Sequence, residues 1–95
     1  MDAAVTERRA YRLTGRVQGV GFRWWTCQTA DGMGLSGTVR NARDGSVEVQ
    51  VRGPRGVLDD FESRLREGPA HARVDRVERE EPGREELPTG FEIAR

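Results

Sequence analysis

Two kinds of periodicity alternate along this chain. Tyr11 and Leu13 alternate with Arg12 and Thr14, which predicts a first strand over Arg9 to Gly15. Phe22, Trp25, Ala30 and Met33 then recur at three- to five-residue intervals, with Thr26 and Thr29 on the same side. That spacing predicts a helix from about Phe22 to Met33, ended by Gly32 and Gly34. The period returns to two in LSGTVRNARDGSVEVQVRG. Leu35 to Arg40 reads as a strand, and in Ser46 to Arg52 the residues Val47, Val49 and Val51 alternate with Glu48 and Gln50. Between them NARDG is the turn, with Gly45 available for a positive φ.

The second half repeats the succession. Pro54 opens a second helix, where its missing N–H costs nothing. Val57, Leu58, Phe61 and Leu65 form its apolar stripe, Asp59, Asp60, Glu62, Arg64 and Arg66 its wet side, and Gly68 with Pro69 its end. Val74 and Val77 mark a strand over Arg73 to Glu80. EEPGREELPTG is a polar loop, and Phe91 to Ile93 a short closing strand. The order is β-α-β-β-α-β with a short fifth strand. Because each helix has one apolar face, both belong on one side of a single, mostly antiparallel sheet. The expected fold is a ferredoxin-like α/β (α+β) sandwich. One domain is expected over residues 1–95, with residues 1–8 as a flexible N-terminus.

Composition narrows the function. Ninety-five residues bury only about two-thirds of the unfolded surface, enough for one thin core. Any site must therefore lie on a loop or edge of that unit. Sixteen basic and sixteen acidic residues balance, whereas a nucleic-acid or anionic-membrane partner calls for a basic excess. Every basic residue is arginine, which removes Schiff-base chemistry and the lysine of an ATP-binding P-loop. A lone cysteine, Cys27, and a lone histidine, His71, offer neither an internal disulfide nor a metal site. The polar first ten residues carry no apolar signal core, and no run reaches the length of a membrane span. A cytoplasmic protein is expected, without metal or cofactor.

The stretch GRVQGVGFRWW holds the chemistry. Gln18, Gly19, Val20, Gly21, Phe22 and Arg23 lie between a predicted strand and the first turn of a helix. Glycines there let successive N–H groups point into one hollow, and the helix N-terminus adds partial positive charge. The Arg23 guanidinium can grip two phosphate oxygens at once. Neither the dinucleotide fingerprint nor the P-loop fits, because Trp24 stands at the third place after Gly21 and lysine is absent. From the loop alone two readings stand: a phosphoryl site, or a tight turn into a helix.

GRVQGVGFR followed by GTVRNARDGSVEV closely resembles the acylphosphatase family. The signatures G-x-V-Q-G-V-x-F-R and G-x-V-x-N-x-x-D-G-x-V both fit, and the likeness runs from Tyr11 to Phe91-Glu92-Ile93. The resemblance implies hydrolysis of a carboxyl–phosphate anhydride to carboxylate and inorganic phosphate. It implies that the amides of Gln18, Gly19, Val20, Gly21, Phe22 and Arg23 cradle the phosphoryl oxygens, with Arg23 binding phosphate and Asn41 orienting the water. It implies no metal and no cofactor. The partners so expected are a small-molecule acyl phosphate and inorganic phosphate, with no nucleic acid, no membrane and a monomeric state. Thr38 departs from the family, which often has tryptophan there.

Other residues have plainer readings. Of Trp24 and Trp25, adjacent on a helix, one is expected to pack inward and the other to lie near the surface. Cys27 reads as a half-buried bystander. His71 and the cluster Glu80, Glu81, Glu85 and Glu86 read as solvated. Arg16, Arg40 and Arg43 either raise the potential at the entrance or are ordinary surface charge. An RNA-binding module is disfavoured because SVEVQVR offers no aromatic platform. An anion-binding module without turnover and a carbamoyl-phosphate-handling domain of a larger assembly are the rivals. A free-standing hydrolase is expected over the latter, because the chain stops at Arg95 without cysteine motifs.

Overall fold

The structure, a computed structural model, describes residues 5–94. The elements are β1 (Thr6–Arg16), α1 (Phe22–Gly32), β2 (Ser36–Asn41), β3 (Val47–Pro54), α2 (Arg55–Glu67), β4 (Arg73–Glu80) and β5 (Phe91–Ile93). One five-stranded sheet has the order β4-β1-β3-β2-β5. All pairings are antiparallel except β2 with β5, which is parallel. The architecture is the ferredoxin-like sandwich that the alternating periods imply.

Strand parity builds the core. Tyr11 and Leu13 of β1, Val39 of β2, and Val47, Val49 and Val51 of β3 are all fully buried on one sheet face. The stripes of the two helices meet them: Phe22 and Ala30 from α1, Leu58, Phe61 and Leu65 from α2. Thr26, buried in the same stripe, donates its hydroxyl to the Phe22 carbonyl at 2.8 Å, so its polar atom is satisfied. Trp25 leans on this core, its ring centroid 5.4 Å from that of Phe22.

Boundaries differ from the sequence expectation by a few residues in most elements of the first half; β3, for one, runs Val47–Pro54 rather than Ser46 to Arg52. β1 begins at Thr6 rather than Arg9, and Thr6, Glu7 and Arg8 pair with Pro54, Gly53 and Arg52. The expected flexible N-terminus of residues 1–8 is thus ordered strand from Thr6; residues 1–4 lie outside the described residues. Pro54 precedes the first turn of α2 as its N-cap, in an extended conformation, instead of sitting within that turn. It can also close β3, because its position opposite Thr6 is the last of the ladder. Finally, α1 ends at Gly32 with Met33 as cap, and β2 is displaced by one residue so that Asn41 is its last member.

The sheet face away from the helices is held by charge rather than by a second apolar layer. Arg12 of β1 donates to Glu80 of β4 at 2.7 Å and to Ser46 at 2.7 Å, and it also pairs with Glu48. The 81–90 connection passes over this face: Gly83 donates to the Gln50 side chain, and Arg8 to the Glu85 carbonyl. Leu87 and Ala10 are buried.

On the helix side Arg9 follows the parity of Tyr11 and Leu13 and is only 7% exposed. It is satisfied by Glu7 at 2.7 Å, Asp59 at 2.9 Å and the Tyr11 hydroxyl at 3.3 Å. Glu62 of α2 joins this cluster with a side chain 13% exposed. Burial pushes its carboxyl upward, but Arg66, Arg79 and the Tyr11 hydroxyl outweigh burial and hold it below the ordinary value. Hydrogen bonds from Arg9 and Arg55 lower Glu7 in the same way. A carboxyl depressed in the folded state stabilises the fold fully above the unfolded value, near pH 4.5, and the contribution is lost as pH falls through the depressed values. The urea midpoint of the wild type should therefore fall between pH 5 and pH 3 more steeply than that of Glu62→Gln, the two curves converging in acid (roughly the carboxylate range). A constant offset at every pH would show that Glu62 acts through packing alone.

Candidate active site

The topology brings two distant segments to one end of the sheet. β1 and β2 are not neighbours; β3 lies between them and is antiparallel to both. They therefore run the same way. In the row Leu13–Val47–Asn41, the C-terminal ends of β1 and β2 flank the start of β3. The loop leaving β1 and the last residue of β2 must meet there, beside the N-terminus of α1. Asn41 shares the parity of Val39, so it faces the helix side.

The glycines set the shape of the loop. Gly19 and Gly21 have φ of 76° and 77°, in the left-handed region that L side chains avoid. A Cβ at either would meet nothing within 4 Å, so the requirement is conformational and the space in front is open. Gly21 is also the N-cap of α1, and its carbonyl accepts the first helical bond from Trp25 at 3.0 Å. The amides of Phe22, Arg23 and Trp24 belong to the first turn, which has no helical acceptor for them, and no side chain caps it. Donors left in this way at a helix start suit an anion.

A cleft of about 150 Å³ opens here, lined by Val17, Gly19, Gly21, Phe22, Arg23, Trp24, Asn41 and Ile93. Among the described residues the Arg23 side chain has no ion-pair partner; the exposed Arg16, Arg43, Arg52, Arg64 and Arg84 share that state, whereas the other arginines packed against the fold, Arg8, Arg9 and Arg12, are paired. The Oδ1 atom of Asn41 is buried and has no hydrogen-bond partner among them. A buried acceptor without a donor is rare enough to require an explanation. The cleft thus offers amide donors, an unneutralised guanidinium and a vacant carboxamide acceptor.

Four of the six loop positions expected to bind phosphate, Gly19, Gly21, Phe22 and Arg23, line the cleft, together with Asn41. Gln18 and Val20 do not line it. Val20 packs against the core. The Gln18 side chain turns to the β2–β3 connection, donating through Nε2 to the Ala42 carbonyl at 2.8 Å and the Ser46 carbonyl at 2.9 Å. That clamp joins the loop after β1 to the turn after Asn41, and sequence reasoning missed it. The turn itself is braced: Asp44 Oδ1 accepts from the Ser46 amide at 2.9 Å and from its hydroxyl at 2.6 Å, and Gly45 has φ of 93°. Sequence reasoning also did not place Val17 and Ile93 at the site, and it left open which of Trp24 and Trp25 lies near the surface; the exposed one is Trp24.

The remaining candidates separate cleanly. Arg40 pairs with Glu48 on the opposite sheet face, away from the cleft. Arg16 and Arg43 are exposed at the cleft end of the sheet. Thr38 faces away from the helices and lines a hollow of about 350 Å³ with Arg40, Glu48, Gln50, Glu85 and Ala94. His71 is exposed beyond α2. Cys27 is half-buried against the core, where burial raises its thiol pKa. Among the described residues no group of three or more His, Cys, Asp or Glu could hold a metal ion, and no helix is long and apolar enough to cross a membrane.

Comparison with known proteins bears on the family and the fold. The acylphosphatase family profile matches residues 9–93. The chain belongs to the acylphosphatase family. An acylphosphatase of Koribacter versatilis (strain Ellin345) is 49% identical over 95 residues, spanning 97% of this chain and 86% of that one. The crystal structure of acylphosphatase from Bacillus subtilis superposes with a TM-score of 0.86 at 32% identity, over 96% of this chain and 100% of that chain. Full-length HypF in a phosphate- and nucleotide-bound form contains a similar unit, with a TM-score of 0.78 and 26% identity, over 98% of this chain and 12% of that much longer one. Acylphosphatase membership places this chain among the hydrolases.

The clamp is open to direct measurement. Gln18→Leu keeps side-chain bulk and removes both donated bonds. It should lower stability by about 1 kcal/mol and weaken inorganic phosphate binding several-fold, read by urea denaturation and titration calorimetry.

Proposed function

We propose that the chain hydrolyses acyl phosphates to a carboxylate and inorganic phosphate without a metal ion. The observation that carries this reading is the buried, unpartnered Asn41 Oδ1 in a cleft shared with Arg23 and the uncapped start of α1. The amides of the 18–23 loop and the Arg23 guanidinium take the phosphoryl oxygens, whose charge they stabilise as the transition state forms. Asn41 Oδ1 accepts a hydrogen bond from a water and aims its lone pair at phosphorus. A carboxamide is too weak a base to remove the proton, so its contribution is position.

Carboxylate departure suits so sparse a site. The leaving group is the base of an acid with a pKa of about 4 and departs without being protonated. An alcohol would need a general acid, and no lining side chain offers one. The bond from phosphorus to the bridging oxygen breaks with its electron pair passing to the carboxylate, while the water oxygen bonds to phosphorus and its proton passes to phosphate or solvent. The single cysteine and sparse exposed apolar surface support a monomer acting in the cytoplasm on a small molecule.

A second reading, an anion-binding unit of a larger assembly, draws support from the HypF likeness. Phosphate release from benzoyl phosphate with a chelator present separates the two. Asn41→Ala and Arg23→Ala should each lose about two or more orders of magnitude in turnover, with the larger loss of phosphate affinity in Arg23→Ala. Wild-type turnover retained in both variants would remove the assignment. Phosphate binding without wild-type turnover would favour the binding unit.

A further inference from the structure

Three large apolar side chains stand exposed among the described residues: Val5, Trp24 and Ile93. Two of the three line the same cleft. Trp24 is 65% exposed and Ile93 46%. They come from unrelated places in the chain, the first turn of α1 and the closing strand β5. β5 is fixed there by its parallel register, Ile93 against Val39, and by the bond from the Ala94 amide to the Val39 carbonyl at 2.8 Å.

Neither side chain is spent on the core. Phe22 and Trp25 form the aromatic pair beneath α1, and Trp24 takes no part in it. Phe91, not Ile93, carries β5 into the interior, where it meets Phe61 at 6.0 Å between centroids. An indole and a branched alkyl group left in water beside a polar cradle are an unspent hydrophobic contact. Other lining positions have their tasks: Gly19, Gly21, Phe22 and Arg23 offer amides and a cation, Asn41 an acceptor, and Val17 is fully buried floor.

Resting on the acyl-phosphate reading, we propose that Trp24 and Ile93 form an apolar rim that contacts the acyl group and selects aromatic or long-chain acyl phosphates over small polar ones. In-line attack from the water at Asn41 requires the acyl oxygen to depart on the opposite side of phosphorus. With the phosphoryl oxygens held by the loop, the acyl group extends out of the cleft toward its mouth, where Trp24 and Ile93 are the exposed apolar lining. Stacking on the indole and contact with the Ile93 methyl groups remove apolar area from water in the bound state.

The test compares benzoyl phosphate with acetyl phosphate in the wild type, Trp24→Ala and Ile93→Ser. Within each variant the ratio of kcat/KM for the two substrates is divided by the wild-type ratio, which cancels their different intrinsic reactivity. Benzoylphosphonate and acetylphosphonate, which lack the cleavable bridging oxygen, give the matching ratio of dissociation constants by calorimetry. Trp24→Ala should lower the benzoyl-to-acetyl preference about tenfold and Ile93→Ser about threefold, in turnover and in binding alike. Trp24→Phe should restore most of the preference, because it keeps an aromatic face. Ratios unchanged from wild type, with turnover intact, would overturn the rim and leave the hydrolase reading standing. Absent turnover with phosphonate binding would overturn the hydrolase reading, and the binding ratios would still decide the rim. Failure to bind either phosphonate would overturn both.

Discussion

The position of β3 between β1 and β2 is the constraint on which the site depends. Antiparallel pairing on both flanks forces β1 and β2 to run together and to finish at one edge. Without that spacer the glycine loop and Asn41, some twenty residues apart in sequence, would have no reason to share a cleft. α1 is the crossover joining the two parallel strands, so its N-terminus falls beside both strand ends. The Gln18 clamp then fixes what topology makes adjacent, because one side-chain amide reaches two carbonyls of the turn that follows Asn41.

Charge is distributed with the same economy. Arginine supplies every strong cation, and most of those packed against the fold are neutralised: Arg12 bridges three strands on the outer face, and Arg9 is enclosed by Glu7, Asp59 and Tyr11 on the inner one. Exposed pairs such as Arg73 with Asp75 contribute little in water. Buried Arg9 is different, since its charge lies where water hardly reaches and depends on Glu7, Asp59 and Tyr11 together. Against this background Arg23 stands apart, half-exposed at the cleft and without a carboxylate among the described residues. An acidic neighbour would compete with any phosphate for the guanidinium.

Much of this was legible in the chain itself. The alternation of Val47, Val49 and Val51, the Leu58–Phe61–Leu65 stripe and the glycine loop all carry local signals, and local signals survive folding. The two long motifs supplied Arg23 and Asn41. Strand adjacency was not legible, because nothing in Tyr11 or Val39 encodes which neighbour each will have. Arg9 looked like the polar start of a strand, although its parity with Tyr11 and Leu13 already pointed it inward. Gln18 was expected to offer its backbone amide to phosphate, but nothing local marked its side chain for the turn at Ala42 and Ser46, a contact across more than twenty positions. Ile93 likewise reaches the cleft only through the parallel pairing of β5.

The lining of the cleft has a further consequence. Valine, glycine, phenylalanine, tryptophan, isoleucine and asparagine do not titrate, and beside Arg23 they make up the whole lining. The walls hold no carboxylate, imidazole, thiol or phenol. On the proposed reading, whatever pH response the site has is written by its guest, through the second ionisation of the phosphoryl group, or by the distant carboxylates whose protonation loosens the fold. Such a site has no acidity of its own to tune: it reads the protonation state of what enters it.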